Sequence, residues 1–269
     1  MDLKERVLLF LKGLLMGVAQ IIPGVSAGTM ALVTDIYERF IRTVDSINPL
    51  TDEKTDLEFL VVVGLGMGVS FLLLSRIILR IIESYESTVF AFFFGLIASA
   101  AFTTYRKTER VDRRTVGLGA VGFVISFLVS GLEPLGSYHA LPLLFVSGFL
   151  AICAMLLPGV SGSFVMLLLG QYKYMLNALK EFWNFWMEIG AVVGGMVLAF
   201  LTFPKAVDRL FEWDRCATLS FLVGLMVGAL RIPFQRITPA GTVLGNLPVL
   251  VGGGVGFLAV LHLELSMKS

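Results

Sequence analysis

Charge is scarce in this chain. Asp, Glu, Lys and Arg together make up 15% of 269 residues, against about 25% in soluble domains, so a water-facing surface of ordinary composition is excluded. Histidine and cysteine are scarcer, at two each. Cys153 and Cys216 stand in apolar surroundings without metal-type spacing, which argues against a disulfide framework and against a metal site. No cofactor fingerprint appears, and a net charge of +1 leaves no basic surface for nucleic acid. A cleavable signal peptide is also missing from the opening Met-Asp-Leu-Lys-Glu-Arg, so the first apolar segment is expected to stay.

Hydrophobic residues are abundant, at 57% with a mean hydropathy of +0.87. Uncharged runs cover 13–34, 59–75, 87–105, 115–132, 134–172, 189–204, 216–230 and 237–263. A membrane-crossing helix needs about 20 largely apolar residues. The runs that fall slightly short are bounded by Lys and Arg, which can snorkel to the interface. The fold class read from this is an all-α polytopic membrane protein.

The chain repeats itself. Gly13 to Gly28, containing Pro23-Gly24-Val25-Ser26, recurs 135 residues later as Gly148 to Ser163, containing Pro158-Gly159-Val160-Ser161. Downstream, Arg76, Arg80 and Glu83 match Lys205, Arg209 and Glu212, and Phe94-Gly95-Leu96 matches Val223-Gly224-Leu225. Two halves follow, 1–134 and 135–269, making one membrane domain. Each carries a Pro-Gly-Val-Ser segment and three further apolar runs. If that segment enters the membrane and returns, each half crosses three times and the second half is inverted. If it is a broken span, the halves are parallel.

Positive charge arbitrates, because cytoplasmic loops carry excess Lys and Arg. The inverted arrangement puts 15 of the 21 basic residues on one side, including the cluster from Arg106 to Arg114, whereas the parallel one splits them 9 to 12. Inverted repeats with both termini cytoplasmic are expected, each a re-entrant helical hairpin plus three transmembrane helices. Length agrees: Gly13–Ile22 and Gly148–Leu157 are ten residues each, about 15 Å of helix, half a bilayer core. A full span over 3–22 would place Lys12 near the bilayer centre, although ten full spans would keep the same sidedness.

The breaks carry the chemistry. Proline lacks an N–H and glycine tolerates unusual backbone angles, so Pro23-Gly24 and Pro158-Gly159 should end one helix, with Ser26 and Ser161 capping the next. Non-helical backbone at membrane depth persists only where it is buried in protein or lines a wet cavity. Freed amides of Gly24, Val25, Gly159 and Val160, with the two serines, would suit a phosphate or carboxylate. A simple kink is the plainer alternative. Paired broken helices between inverted repeats are a recurring transporter plan.

These residues, with Ile36-Tyr37-Glu38-Arg39, Leu169-Gly170-Gln171-Tyr172, Phe92 to Leu96 and Gly224 to Arg231, resemble the polyprenyl-phosphate translocase family over nearly the whole chain. The resemblance implies a flippase that returns undecaprenyl phosphate, or a related polyprenyl phosphate, to the cytoplasmic leaflet of the cell membrane. Its partners would be that lipid and the surrounding membrane lipids. Thr29 and Ser163, beside the two serines, join the phosphate-binding candidates through their motifs. Where the family more typically reads Ala-Asp-Ile-Ile-Pro-Gly-Val-Ser-Gly-Gly-Thr, this chain has Gln20 and Ala27, and Asp35 stands where glycine is usual.

Arg76 and Arg80, with Lys205 and Arg209 in the other half, could receive a phosphate from opposite leaflets, and Arg231 is a further candidate. Asp35, Glu38, Glu83 and Glu212 are candidates for coupling. The plainer reading of these charges is interfacial snorkelling with local ion pairs. Glu133 and His139 fall in a loop without Lys or Arg, read as external and mostly solvated, though histidine can titrate near neutral pH. The rival function is an intramembrane serine hydrolase using Ser161 of Gly-Val-Ser-Gly and His262. The first half repeats the serine yet has no histidine, and one nucleophile does not need two serines. A secondary transporter for a small anion is a third reading.

Overall fold

In the computed structural model, residues 1–21, 26–47, 55–134, 138–237 and 247–268 are described, and among them every element is helical. The first half comprises α1 (Leu3–Ile21), α2 (Ala27–Val33), α3 (Tyr37–Asp45), α4 (Leu57–Val69), α5 (Ser75–Arg106) and α6 (Arg113–Val129). The second comprises α7 (Leu141–Leu156), α8 (Gly162–Leu168), α9 (Tyr172–Ala178), α10 (Trp186–Trp213), α11 (Arg215–Ala229), α12 (Arg231–Ile237) and α13 (Leu247–Lys268). Among the described residues, four helical stretches are long and apolar enough to cross a membrane, Leu57–Leu74, Arg80–Arg106, Trp186–Trp213 and Arg215–Ile237, and Leu141–Leu156 and Leu247–His262 are shorter apolar helices. Large apolar side chains such as Leu72 and Leu73 stand fully outward, as a hydrocarbon solvent allows.

Local sequence sets the ends. A π-helical turn at Ser70–Leu74 joins α4 to α5, and α5 is interrupted at Tyr85 (φ −139°, ψ 41°). Residues 57–84 therefore form one rod, matching α10 in length, and 86–106 another. The defects fall at corresponding points, since Pro204 in α10 stands where the first half has Ser75 just after its π turn. Asp112 caps α6 by accepting from the Arg114 and Thr115 amides, and Asp214 caps α11 by accepting from Ala217 N–H at 3.0 Å.

Glycine decides how the rods pack. A Cβ on Gly13 would overlap the Val63 carbonyl, and one on Gly66 the Phe10 carbonyl, at the α1–α4 crossing. The same clash arises at Gly148 with Val192 and at Gly195 with Phe145, between α7 and α10. Gly95 and Gly256 fix α5 against α13, and Gly122 and Gly224 fix α6 against α11. Each of these crossings thus has a counterpart between the corresponding elements of the other half. Close approach of this kind is what holds apolar helices together where the solvent is itself apolar. The α1–α4 pair runs parallel: Arg6 meets Glu58 near both N-termini, and Ser70 Oγ donates to Leu14 O at 2.6 Å further in.

One core joins the halves, with Met16, Tyr37, Phe59 and Ile97 packed among Leu156, Leu222, Leu225 and Met226. The start of α1, α3, the start of α4, the end of α5 and the α10–α11 corner meet at one charged end. There Arg39 bridges Glu5 and Asp56, Arg42 meets Asp208, and Arg110 binds Asp214 at 2.5 Å.

The arms preceding the breaks are longer than their apolar motifs. α1 has 19 residues and α7 has 16, about 28 and 24 Å, so neither is a ten-residue half-span. Lys12 had argued against a full span over 3–22; it is half-buried mid-helix, and Glu5 and Arg6 before it are paired at the charged end. Their charges stop an apolar run without stopping a helix.

Replacing Gly195 or Gly224 by Ala is expected to lower thermal stability in detergent by about 1–3 kcal/mol. Gly254→Ala, where a Cβ meets nothing within 4 Å, should stay within about 0.5 kcal/mol of the parent. Equal melting shifts at all three would contradict the glycine-set packing.

Candidate functional site

The two breaks meet. Pro23, Gly24 and Val25 lie outside the described residues, but both flanks of that break and all of the second are present. Cα of Gly159 adopts φ +85°, open to glycine and strained for any side chain. α7 stops at Leu156 and α8 begins at Gly162, as Pro158-Gly159 implied.

Each break satisfies the other. Ser26 Oγ lies 3.1 Å from Leu157 O and 3.3 Å from Met155 O and accepts from Gly28 N–H at 3.1 Å. In return Gly159 N–H donates to Thr29 Oγ1 at 2.9 Å. Ser26, Thr29 and Ser161 are all buried. A Cβ on Gly28 would press on Leu156 O, and one on Gly159 on Leu225 O, at 2.9 and 2.8 Å. Ser26 therefore caps α2 as its position suggested. Ser161 occupies the capping position of α8, but its hydroxyl lies 2.9 Å from Ser163 Oγ instead. Beside this contact is a cavity of 260 Å³ rich in methionine, with Gln20, Ser163 and Met155 on its wall. Gln20 Oε1 is buried and without a hydrogen-bond partner among the described residues.

Polar cavities lie on either side of the breaks. One, of 240 Å³ at the charged end, is lined by Leu32, Asp35, Tyr37, Glu38, Lys107 and Arg215. Its acids are neutralised: Lys107 Nζ is 2.6 Å from Asp35 and Arg215 2.8 Å from Glu38. Asp35 takes φ +58°, and Gly170, 135 residues on, takes +71°, so glycine's usual place there has a backbone reason that aspartate can tolerate. The other cavity, of 400 Å³, is lined by Leu167, Gly170, Tyr172, Lys173, Tyr174 and His139. Four of its positions are the counterparts of Leu32, Asp35, Tyr37 and Glu38 in the first.

The remaining expected residues are dispersed. Arg80, Glu83, Arg209 and Glu212 are exposed, Lys205 is partly so, and none of them has an ion pair among the described residues. The Arg76 side chain lies outside the described set. Arg231 is committed elsewhere: it donates to Phe127 O at 3.0 Å and lies 4.5 Å over the Phe127 ring, at the end of α6. Asp35 and Glu38 are ion-paired rather than free. The hydrolase pair is not assembled, since Ser161 bonds Ser163 and His262 is exposed on α13. Sequence reading missed Lys107 and Arg215 as cavity residues, having counted them only as topology signals. It also passed over Gln171, fully buried against His139, whose place in a Leu-Gly-Gln-Tyr turn was the available signal.

Among known proteins, the family described as "VCA0040-like: undecaprenyl phosphate translocase-like" matches residues 16–242. A curated polyprenyl-phosphate transporter of Vibrio cholerae is 32% identical over 234 residues, covering 82% of this chain and 75% of its own length. Another polyprenyl-phosphate transporter, from Staphylococcus aureus, is 28% identical over 270 residues, 94% of each chain. No solved structure matches the chain.

Thr29→Val removes the acceptor of the buried Gly159 amide and should cost about 1–3 kcal/mol, with Thr29→Ser recovering most of it. A melting temperature unmoved by Thr29→Val would contradict the cross-break bond. At the charged end, Ala217 N–H and then Arg110 hold the Asp214 carboxyl below the usual carboxylate range. A depressed carboxylate stabilises above its unfolded value and is lost as pH falls. Stability should therefore fall from pH 5 toward pH 3, with a shallower slope in Asp214→Asn.

Proposed function

Because the chain belongs to the undecaprenyl phosphate translocase-like family, we propose that it moves a polyprenyl phosphate, undecaprenyl phosphate or a near relative, across the cytoplasmic membrane for carrier recycling. The observation that carries this reading is the reciprocal contact of the two breaks, Ser26 with Leu157 and Gly159 with Thr29. It ties together two corresponding segments, each of which runs on to one of the two polar cavities.

The halves 1–134 and 135–269 act as inverted repeats, each a re-entrant hairpin with three transmembrane helices. The matched glycine crossings favour this, as does the ion pairing of Glu5 with Arg39, which returns the chain near its entry level before α4 begins. Both termini then face the cytoplasm with the charged end, where the basic residues concentrate. In transport the breaks separate. Ser26, Thr29, the Gly159 amide and the Ser161–Ser163 pair exchange their mutual bonds for phosphate oxygens, and the amides of Gly24, Val25 and Val160 join them. Each donor thereby keeps an acceptor, which lowers the barrier where water is absent. Arg76, Arg80, Lys205 and Arg209 attract the headgroup at the two interfaces, Arg231 holds the end of α6, and Asp35, Glu38, Glu83 and Glu212 are candidates for coupling. Nothing in this scheme breaks a covalent bond.

In liposomes loaded with labelled polyprenyl phosphate, Ser26→Ala and Ser161→Ala should each slow flipping several-fold, with His262→Ala near the parent rate. Abolition at Ser161 and His262 alone, with a cleavage product, would overturn the reading. For topology, a chain with Cys153 and Cys216 replaced by Ala and Glu133 by Cys should react with an impermeant thiol reagent in intact cells. Reaction only after permeabilisation would reverse the orientation.

A further inference from the structure

The cavity around His139 is chemically unlike its counterpart at the charged end. Gln171 is fully buried, and its Nε2 donates to Tyr138 O and Leu169 O, both at 2.9 Å. Both amide protons are thereby used, so the oxygen faces His139 Nδ1 at 2.7 Å and must accept from it. The neutral imidazole therefore carries its proton on Nδ1 and keeps Nε2 as the basic nitrogen. Protonation at Nε2 gives an imidazolium without disturbing the Gln171 bond. The ring is clamped on its face as well, stacked on Tyr174 at 3.8 Å and 6°.

Lys173 and Tyr172 line the same cavity, adding an ammonium and a phenol. Among the described residues the charged groups around the ring are few. α9 supplies Lys173, α7 supplies none, and Glu188 of α10 lies within electrostatic reach of Tyr174. Glu133 stands six residues earlier on the loop. At the charged end Glu38 replaces Lys173, Ile36 replaces Gln171 and Arg39 replaces Tyr174, and the acids there are bound by Lys107 and Arg215. One cavity is thus built to accept an anion and its counterpart is not.

We propose that the His139–Lys173–Tyr172 cavity is a binding site for a phosphate monoester, holding it by charge-assisted bonds from the ammonium and from the imidazole once Nε2 is protonated. The group carries about −1.5 to −2 charges near neutral pH and three acceptor oxygens, which a histidine, a lysine and a phenol can meet together. A cavity of 400 Å³ has room for several waters besides, at roughly 30 Å³ each. The site is one-sided. On the transport reading, on which the lipid arm of this inference rests, it loads the carrier headgroup on the face opposite the charged end before the breaks part.

The test uses the full chain in lipid nanodiscs, with binding measured calorimetrically for inorganic phosphate and for geranyl phosphate, a short water-soluble isoprenyl phosphate. Geranyl phosphate should bind at pH 6. Lys173→Gln and His139→Gln should each weaken binding at pH 6 about tenfold. Arg236→Gln, which breaks the ion pair with Glu86 outside this cavity, should bind like the parent. Comparable binding of inorganic phosphate would assign the site to the phosphate group alone, and binding only of geranyl phosphate to the lipid headgroup; either supports a phosphate site. Parent-like affinity in both folded variants, judged by unchanged melting, overturns it. Flipping is measured separately. Normal flipping with parent-like binding in the variants sinks only the cavity, whereas intact binding in a chain that flips nothing sinks only the transport reading.

Discussion

Backbone groups released from a helix inside an apolar solvent must find partners, and the cost of leaving one unpaired exceeds the worth of most contacts in the molecule. Pro158 and Gly159 release such groups between α7 and α8, and residues beside the first break receive them: Thr29 takes the Gly159 amide and Ser26 reaches the Leu157 carbonyl. Neither break is stable alone in this form. Each half supplies what the other lacks, which is why the core runs across both halves instead of dividing between them.

The remaining forces are arranged around that contact. Glycines allow the parallel rods to approach until backbones touch, and at those crossings the sequence keeps Gly13, Gly66, Gly148 and Gly195 where any methyl would collide. Ion pairs do little for stability when exposed, yet their placement is informative. They join α1, α3, α4, α10 and α11 at one end, and they bridge the halves through Arg215–Glu38 and Arg42–Asp208. A pair that must part when the halves move is better weak than strong, and solvent-screened pairs meet that condition.

The second break was legible in the sequence because proline and glycine act locally: the helix end at Leu156 and the left-handed Gly159 follow from two adjacent residues. The repeat was legible because its motifs are contiguous. The length of α1 was not, since counting uncharged residues stops at Lys12, whereas the helix is carried through by partners of Glu5 and Arg6 that lie more than thirty residues away in sequence. The same holds for the site. The serines could be named, but the fact that Ser26 is engaged with Leu157 and that Arg231 is held by Phe127 depends on contacts across more than a hundred residues. His139 looked like a solvated loop residue until Gln171 and Tyr174 were brought to it.

The central claim is that the reciprocal contact of the breaks must open for the lipid headgroup to pass. A cysteine pair at Ser26 and Leu157, in a chain without Cys153 and Cys216, crosslinks the two residues whose hydroxyl and backbone carbonyl now meet at 3.1 Å. The measurement is the rate of polyprenyl phosphate flipping in liposomes with this pair oxidised and then reduced. The account predicts that the disulfide stops flipping and that reduction restores it. Unchanged flipping with the crosslink verified as complete would contradict it.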